Sequence, residues 1–141
     1  MKLIINTDGA SRGNPGEAAV GLIIQDETGQ LIFQGGRYLG KATNNEAEYL
    51  AVIKVLEILK TDFTKYLPAE VEVRADSQLI VQQLSGNYKV KNSRLRVLFD
   101  QVKCLESEVG RVYYRQIPRA ENALADEQAN IVLDETSNVE E

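Results

Sequence analysis

The stretch KLIINTDGASRGNPG, Lys2 to Gly16, restricts the possible folds of this chain more than any other. An apolar run that reads as an interior strand carries a carboxylate, Asp8, and then meets a cluster of turn formers. Alternation places Leu3, Ile5 and Thr7 on one face and Ile4, Asn6 and Asp8 on the other, so Asp8 sits on a rigid element, as a metal ligand requires. The glycines, Asn14 and Pro15 supply the backbone angles of a tight reversal. The run AAVGLIIQDETGQLIFQGGRYLG then reads as two further strands around a Glu27-Thr28-Gly29 turn. This reversal is expected to bring its amides and Asn14 close to the Asp8 carboxylate.

Beyond this meander the chain alternates helix and strand. TNNEAEYLAVIKVLEILK has capping residues at Thr43 to Asn45 and then a long helix. Around Glu48 the same-face residues Ala51, Val52, Val55 and Leu59 form an unbroken apolar stripe, whereas the positions around Glu46 run into Lys54 and Glu57. Glu48 therefore looks inward and needs a compensating cation, while Glu46 is the favourable charge of a helix N-terminus. VEVRAD is a short strand ending in Asp76, and Ser77 caps a helix that Gly86 closes. The helix-bearing connection from Lys54 to Asp76 is long enough for a right-handed crossover, which would set this strand parallel to the first and Asp76 near Asp8. A third helix is expected from Ser93 to Ser107, RVYYRQI as the last strand, and a final helix in PRAENALADEQANIVL. Asn122 and Asp126 share a face of that helix with small alanines, and Leu124, Ile131 and Val132 are assigned to its core side.

At 141 residues, residues 1–134 are read as one domain and residues 135–141 as a frayed, disordered tail. No apolar run approaches a membrane span, and the N-terminus lacks a signal-like basic region, so a cytoplasmic location is expected. The single Cys104 excludes an internal disulfide and is assigned to the core, and the absence of histidine argues against zinc. A net charge of −5 argues against a nonspecific nucleic-acid coat. Lys89, Lys91, Arg94 and Arg96 nevertheless form a local run without an acid, readable as a substrate grip or as a solvated helix start.

Asp8, Glu48, Asp76 and Asp126 thus stand on a first strand, a first helix, the end of a fourth strand and a last helix. In this order and context the chain resembles ribonuclease H type 1, whose four motifs are matched by DGASRGNPG, TNNEAE, RADSQLIVQQL and ENALAD. The resemblance implies an α/β fold: a five-stranded mixed sheet, three strands antiparallel and two more parallel to the first, with helices on both faces. It implies a metal-dependent endoribonuclease that cuts the RNA strand of an RNA–DNA hybrid, working as a monomer without a membrane. Two Mg²⁺ ions about 3.5–4 Å apart, replaceable by Mn²⁺, would be held by the four carboxylates, with Asp8 touching both, Glu48 and Asp76 completing one site and Asp126 the other. Asn14, Asn45, Glu48 and Gln78 match positions that contact 2′-hydroxyls, Asn44 the neighbouring groove, and Thr43 a phosphate of the DNA strand.

Two departures from the family pattern stand out. Only GNYKVKN remains where larger bacterial enzymes insert a basic helix and loop, so Lys89, Lys91 and Arg94 are the replacement candidates. The family's loop histidine, counted back from Asp126, falls on Gln116, or on Arg119 after a loop shift. Both departures resemble the compact branch of the family, some of whose members also cut RNA duplexes. The competing readings are a noncatalytic module of the same fold, disfavoured because an empty carboxylate quartet repels itself, and an integrase or resolvase, disfavoured by TNN and DGASRGNPG.

Overall fold

The computed structural model describes the backbone of residues 1–140 and side chains through Thr136. Five strands form one mixed sheet: β1 (Lys2–Gly13), β2 (Gly16–Asp26), β3 (Leu31–Ala42), β4 (Ala69–Ala75) and β5 (Gly110–Gln116), in the spatial order β3-β2-β1-β4-β5. The first three are antiparallel, and β4 and β5 continue parallel to β1. The described residues also form four α-helices, α1 (Asn44–Asp62), α2 (Gln78–Leu84), α3 (Ser93–Val109) and α4 (Ala123–Glu140), and two short 3-10 turns. No helix among the described residues is long and apolar enough to cross a membrane.

Each element starts where its sequence demands. Thr43 and Glu46 form a reciprocal capping box on α1, Ser77 caps α2 through the Ile80 amide, and Asn92 caps α3 through the amides of Arg94 and Leu95. The main core lies between α1 and the sheet. Leu3 and Ile5 of β1, Val20, Leu22 and Ile24 of β2, and Val71 and Val73 of β4 meet Val52, Val55, Leu56 and Leu59 of α1. The apolar stripe below Glu48 is buried, in keeping with its spacing.

Helix α4 covers the other face, and here two expectations fail. Its buried residues are Ala125, Ala129 and Leu133, whereas Leu124 is 57% exposed and Ile131 also faces outward. The reason is distance: a Cβ on Gly21 would lie 1.7 Å from the Ala125 carbonyl oxygen, so the helix backbone rests directly on the sheet. Where the helix lies this close only the alanines Ala125 and Ala129 fit beneath it, Leu124 and Ile131 are turned away, and Leu133 is buried further along the helix. The helix also continues to Glu140 through most of the expected tail, and Glu141 lies outside the described residues. Cys104 is exposed on α3 rather than in the core, because that helix buries only Leu95, Val102 and Val109.

Candidate active site

All four carboxylates line one cleft of about 330 Å³ beside the middle of β1 and the carboxyl end of β4, together with Asn44, Asn45, Ser77 and Arg119. One oxygen from each of Asp8, Glu48 and Asp76 lies within 4.8 Å of the other two. Asp8 is only 7% exposed and Glu48 9%. Asp126 enters the same cleft from α4.

Local backbone chemistry sets Glu48. The Gly9 amide donates to its Oε1 at 2.6 Å, which requires helix α1 to press on the strand. A Cβ at Gly9 would stand 2.3 Å from the Ala47 carbonyl carbon, so only glycine admits this approach. The glycine after Asp8 is thus a packing requirement of the site.

The electrostatics follow from burying like charges together. Burial, then the charges of Glu48 and Asp76, and finally Asp126, push the Asp8 carboxyl up to about 9. Burial also pushes Glu48 up and the Asp76 charge adds to it. The Gly9 amide, the neighbouring Asp8 carboxyl and the Arg119 guanidinium pull the other way. A site of clustered oxygen donors, with neither sulfur nor imidazole, fits a hard divalent cation such as Mg²⁺ or Mn²⁺.

A second, polar cleft of about 440 Å³ adjoins the first and shares Asn44 and Asn45 with it; Asn14, Thr43, Asn92 and Arg94 are among its other lining residues. Asn14 is here and not beside Asp8. Strand β1 runs on to Gly13 before reversing, which carries Asn14 about 20 Å along the strand. Its Oδ1 accepts the Asn44 amide at 3.0 Å and leaves its NH₂ group to the cleft. Thr43 Oγ1 accepts the Glu46 amide, so its own O–H remains a donor.

The remaining candidates divide. Arg119 reaches the carboxylate cleft, while Gln116 is an exposed residue paired with Ala75 at the end of β5. Arg94 lies 4.0 Å from Glu46, while Arg96 turns along its own helix to Asp100. Lys89 and Lys91 are exposed on the connection between α2 and α3, and Gln78 is exposed at the start of α2, donating to the Tyr88 hydroxyl at 3.5 Å. In the sequence Asn122 is legible only as a neighbour of Asp126 on a helical face. It is 1% exposed, and its amide donates to Asp76 at 3.2 Å and to the Thr7 carbonyl at 2.9 Å.

The fold and the cleft together define an α/β protein of the ribonuclease H fold, with acidic side chains gathered at one end of its mixed sheet. A family model described as reverse transcriptase-like matches residues 6–132. The chain is 41% identical to a ribonuclease HI of Halobacterium salinarum, over 91% of this chain and 62% of that protein. It is 39% identical to a bifunctional protein of Mycobacterium tuberculosis, over 95% of this chain but only 36% of that one. The chain therefore spans about a third of the length of its Mycobacterium relatives. The crystal structure of LC11-RNase H1 in complex with an RNA/DNA hybrid superposes with a TM-score of 0.90 at 43% identity, over 95% of this chain and 98% of that one. The chain belongs to the ribonuclease H family, type 1.

Proposed function

We propose that the chain is an endoribonuclease that hydrolyses the RNA strand of an RNA–DNA hybrid, leaving 5′-phosphate and 3′-hydroxyl ends, with Mg²⁺ as its ion and Mn²⁺ as a substitute. The single observation that carries this reading is the meeting, in one cleft, of four carboxylates separated by up to 118 residues of sequence, Asp8 to Asp126. It is supported by the relative solved with a hybrid.

Asp8, Glu48, Asp76 and Asp126 would hold the cations. When bound, these contribute Lewis acidity at the scissile phosphate and lower the pKa of water there. The protein's own part is placement and recognition. Strand β1 and the Gly9 contact fix Asp8 and Glu48 before substrate arrives. The amides of Asn14, Asn44, Asn45 and Gln78 offer both donors and acceptors, which suits a 2′-hydroxyl that can donate and accept. Thr43 keeps a hydroxyl donor for a DNA phosphate. The Arg119 guanidinium holds a phosphate at the rim of the carboxylate cleft. Lys89, Lys91 and Arg94 extend the contact along the backbone in place of a basic handle. The chain works as a monomer in the cytoplasm, and duplex RNA is its second substrate.

The deciding experiment compares uniform hybrid, RNA duplex and DNA duplex, each with Mg²⁺, with Mn²⁺ and with excess chelator. Cleavage of the hybrid's RNA strand that needs the metal and vanishes in Asp8→Asn is expected. Equal cleavage of DNA duplex, or full activity in chelator, would sink the proposal.

A further inference from the structure

Asn122 is the last residue of a short 3-10 turn, Arg119–Asn122, and its side chain is almost completely enclosed at 1% exposure. Its Nδ2 donates to the Thr7 carbonyl at 2.9 Å and to Asp76 Oδ2 at 3.2 Å. Its Oδ1 accepts from Asn6 Nδ2 at 3.2 Å. Chemistry fixes which way this amide points, because both the carbonyl and the carboxylate can only accept from it. Asn6 then supplies the one donor that the Oδ1 side needs.

These bonds tie the root of α4 to two other supports of the site, β1 and the end of β4. Thr7 is the residue before Asp8 on β1, Asp76 follows the end of β4, and Asn122 itself directly precedes α4, which brings Asp126 one turn later. We infer that Asn122 is a positioning residue of the carboxylate centre: it holds one oxygen of Asp76, so that the other is presented to Asp8 and Glu48, and it sets the root of α4. A buried amide on a ligating carboxylate restricts the rotation of that carboxylate, so the geometry is assembled before any cation or substrate arrives. Asn6 acts behind it, holding the Asn122 amide in the donating orientation.

This inference rests on the proposed metal-dependent cleavage, and its test separates the two. Asn122→Ala and Asn6→Ala are compared with wild type in two measurements: kcat and KM on hybrid at saturating Mg²⁺, and Mn²⁺ binding to the protein alone by calorimetry, corrected for the folded fraction. Asn122→Ala should lower kcat about 10–100-fold with KM within about twofold, and should weaken Mn²⁺ binding by about tenfold. Asn6 is half-buried, so Asn6→Ala keeps the proposal testable even where the first variant does not fold. It should lower kcat by a smaller factor, again without moving KM. A variant that is folded, binds Mn²⁺ as wild type does and keeps its kcat would overturn the inference, as would a change confined to KM. Failure of the wild type itself to cut hybrid or to bind Mn²⁺ would instead overturn the functional reading.

Discussion

Asp8→Asn should make the protein more stable in chelator, by an amount that grows with pH. Asp8 is enclosed and its carboxyl is pushed up to about 9, first by burial and then by Glu48 and Asp76. In the unfolded chain it titrates near 4. Between these values the folded protein holds a proton that the unfolded chain has released. Stability contributed by protonated Asp8 is therefore complete below about pH 4 and declines as pH rises toward 9. One proton corresponds to about 1.4 kcal/mol per pH unit, so the interval from about pH 4 to about pH 7 has a ceiling of about 4 kcal/mol. The cleft is open to water on one side, which reduces this to about 1–2 kcal/mol. Asparagine removes the ionisation, and its NH₂ group can donate to the neighbouring carboxylates. For a domain of this size the gain corresponds to about 3–6 °C in melting temperature near pH 7, shrinking toward zero near pH 4. Thermal melts of both proteins across that range, in chelator and again in excess Mg²⁺, provide the test. Mg²⁺ should raise the wild type more than the variant and close or reverse the gap, since a ligand stabilises the state that binds it. If Asp8→Asn melted at or below wild type at every pH in chelator, Asp8 would be a satisfied structural residue and the argument would be refuted.

Three further outcomes are expected. Gly9→Ala should destabilise the fold by about 3 kcal/mol or more, since the new methyl meets backbone at 2.3 Å; a melting temperature within about 2–3 °C of wild type, that is about 1 kcal/mol, would show that α1 can move away freely. Neutralising Lys89, Lys91 and Arg94 together should raise KM for hybrid and flatten its salt dependence, by about 0.7–0.9 in logarithmic slope for each phosphate no longer neutralised, with kcat little changed. An unaltered slope would return these residues to ordinary solvated surface. Arg119→Ala should lower the rate at saturating Mg²⁺ without altering the shape of its pH profile, because a guanidinium has no proton to exchange near neutrality; a displaced profile would assign it a part in proton transfer.

Much of the site is legible in the chain itself, because local rules govern those parts. The 3.6-residue period singles out Glu48 over Glu46, and α1 shows both the buried stripe and the Thr43–Glu46 box. The crossover length sets β4 parallel to β1 and so brings Asp76 to Asp8. What escapes the sequence depends on how closely separate elements approach. Large apolar residues ordinarily mark the core face of a helix, whereas at Gly21 α4 lies so near that Ala125 and Ala129 fill the contact and Leu124 and Ile131 face outward. Asn14 stands away from Asp8 because a turn cluster does not reveal how far a strand continues into it. Asn122 touches Asn6, Thr7 and Asp76, residues 46 to 116 positions away, and no periodicity records such a contact. The sequence by itself determined which carboxylates this protein carries and on which elements. Only the tertiary structure decided how they are held, because hydrogen bonds and burial between distant segments exist only once the backbones have closed on one another.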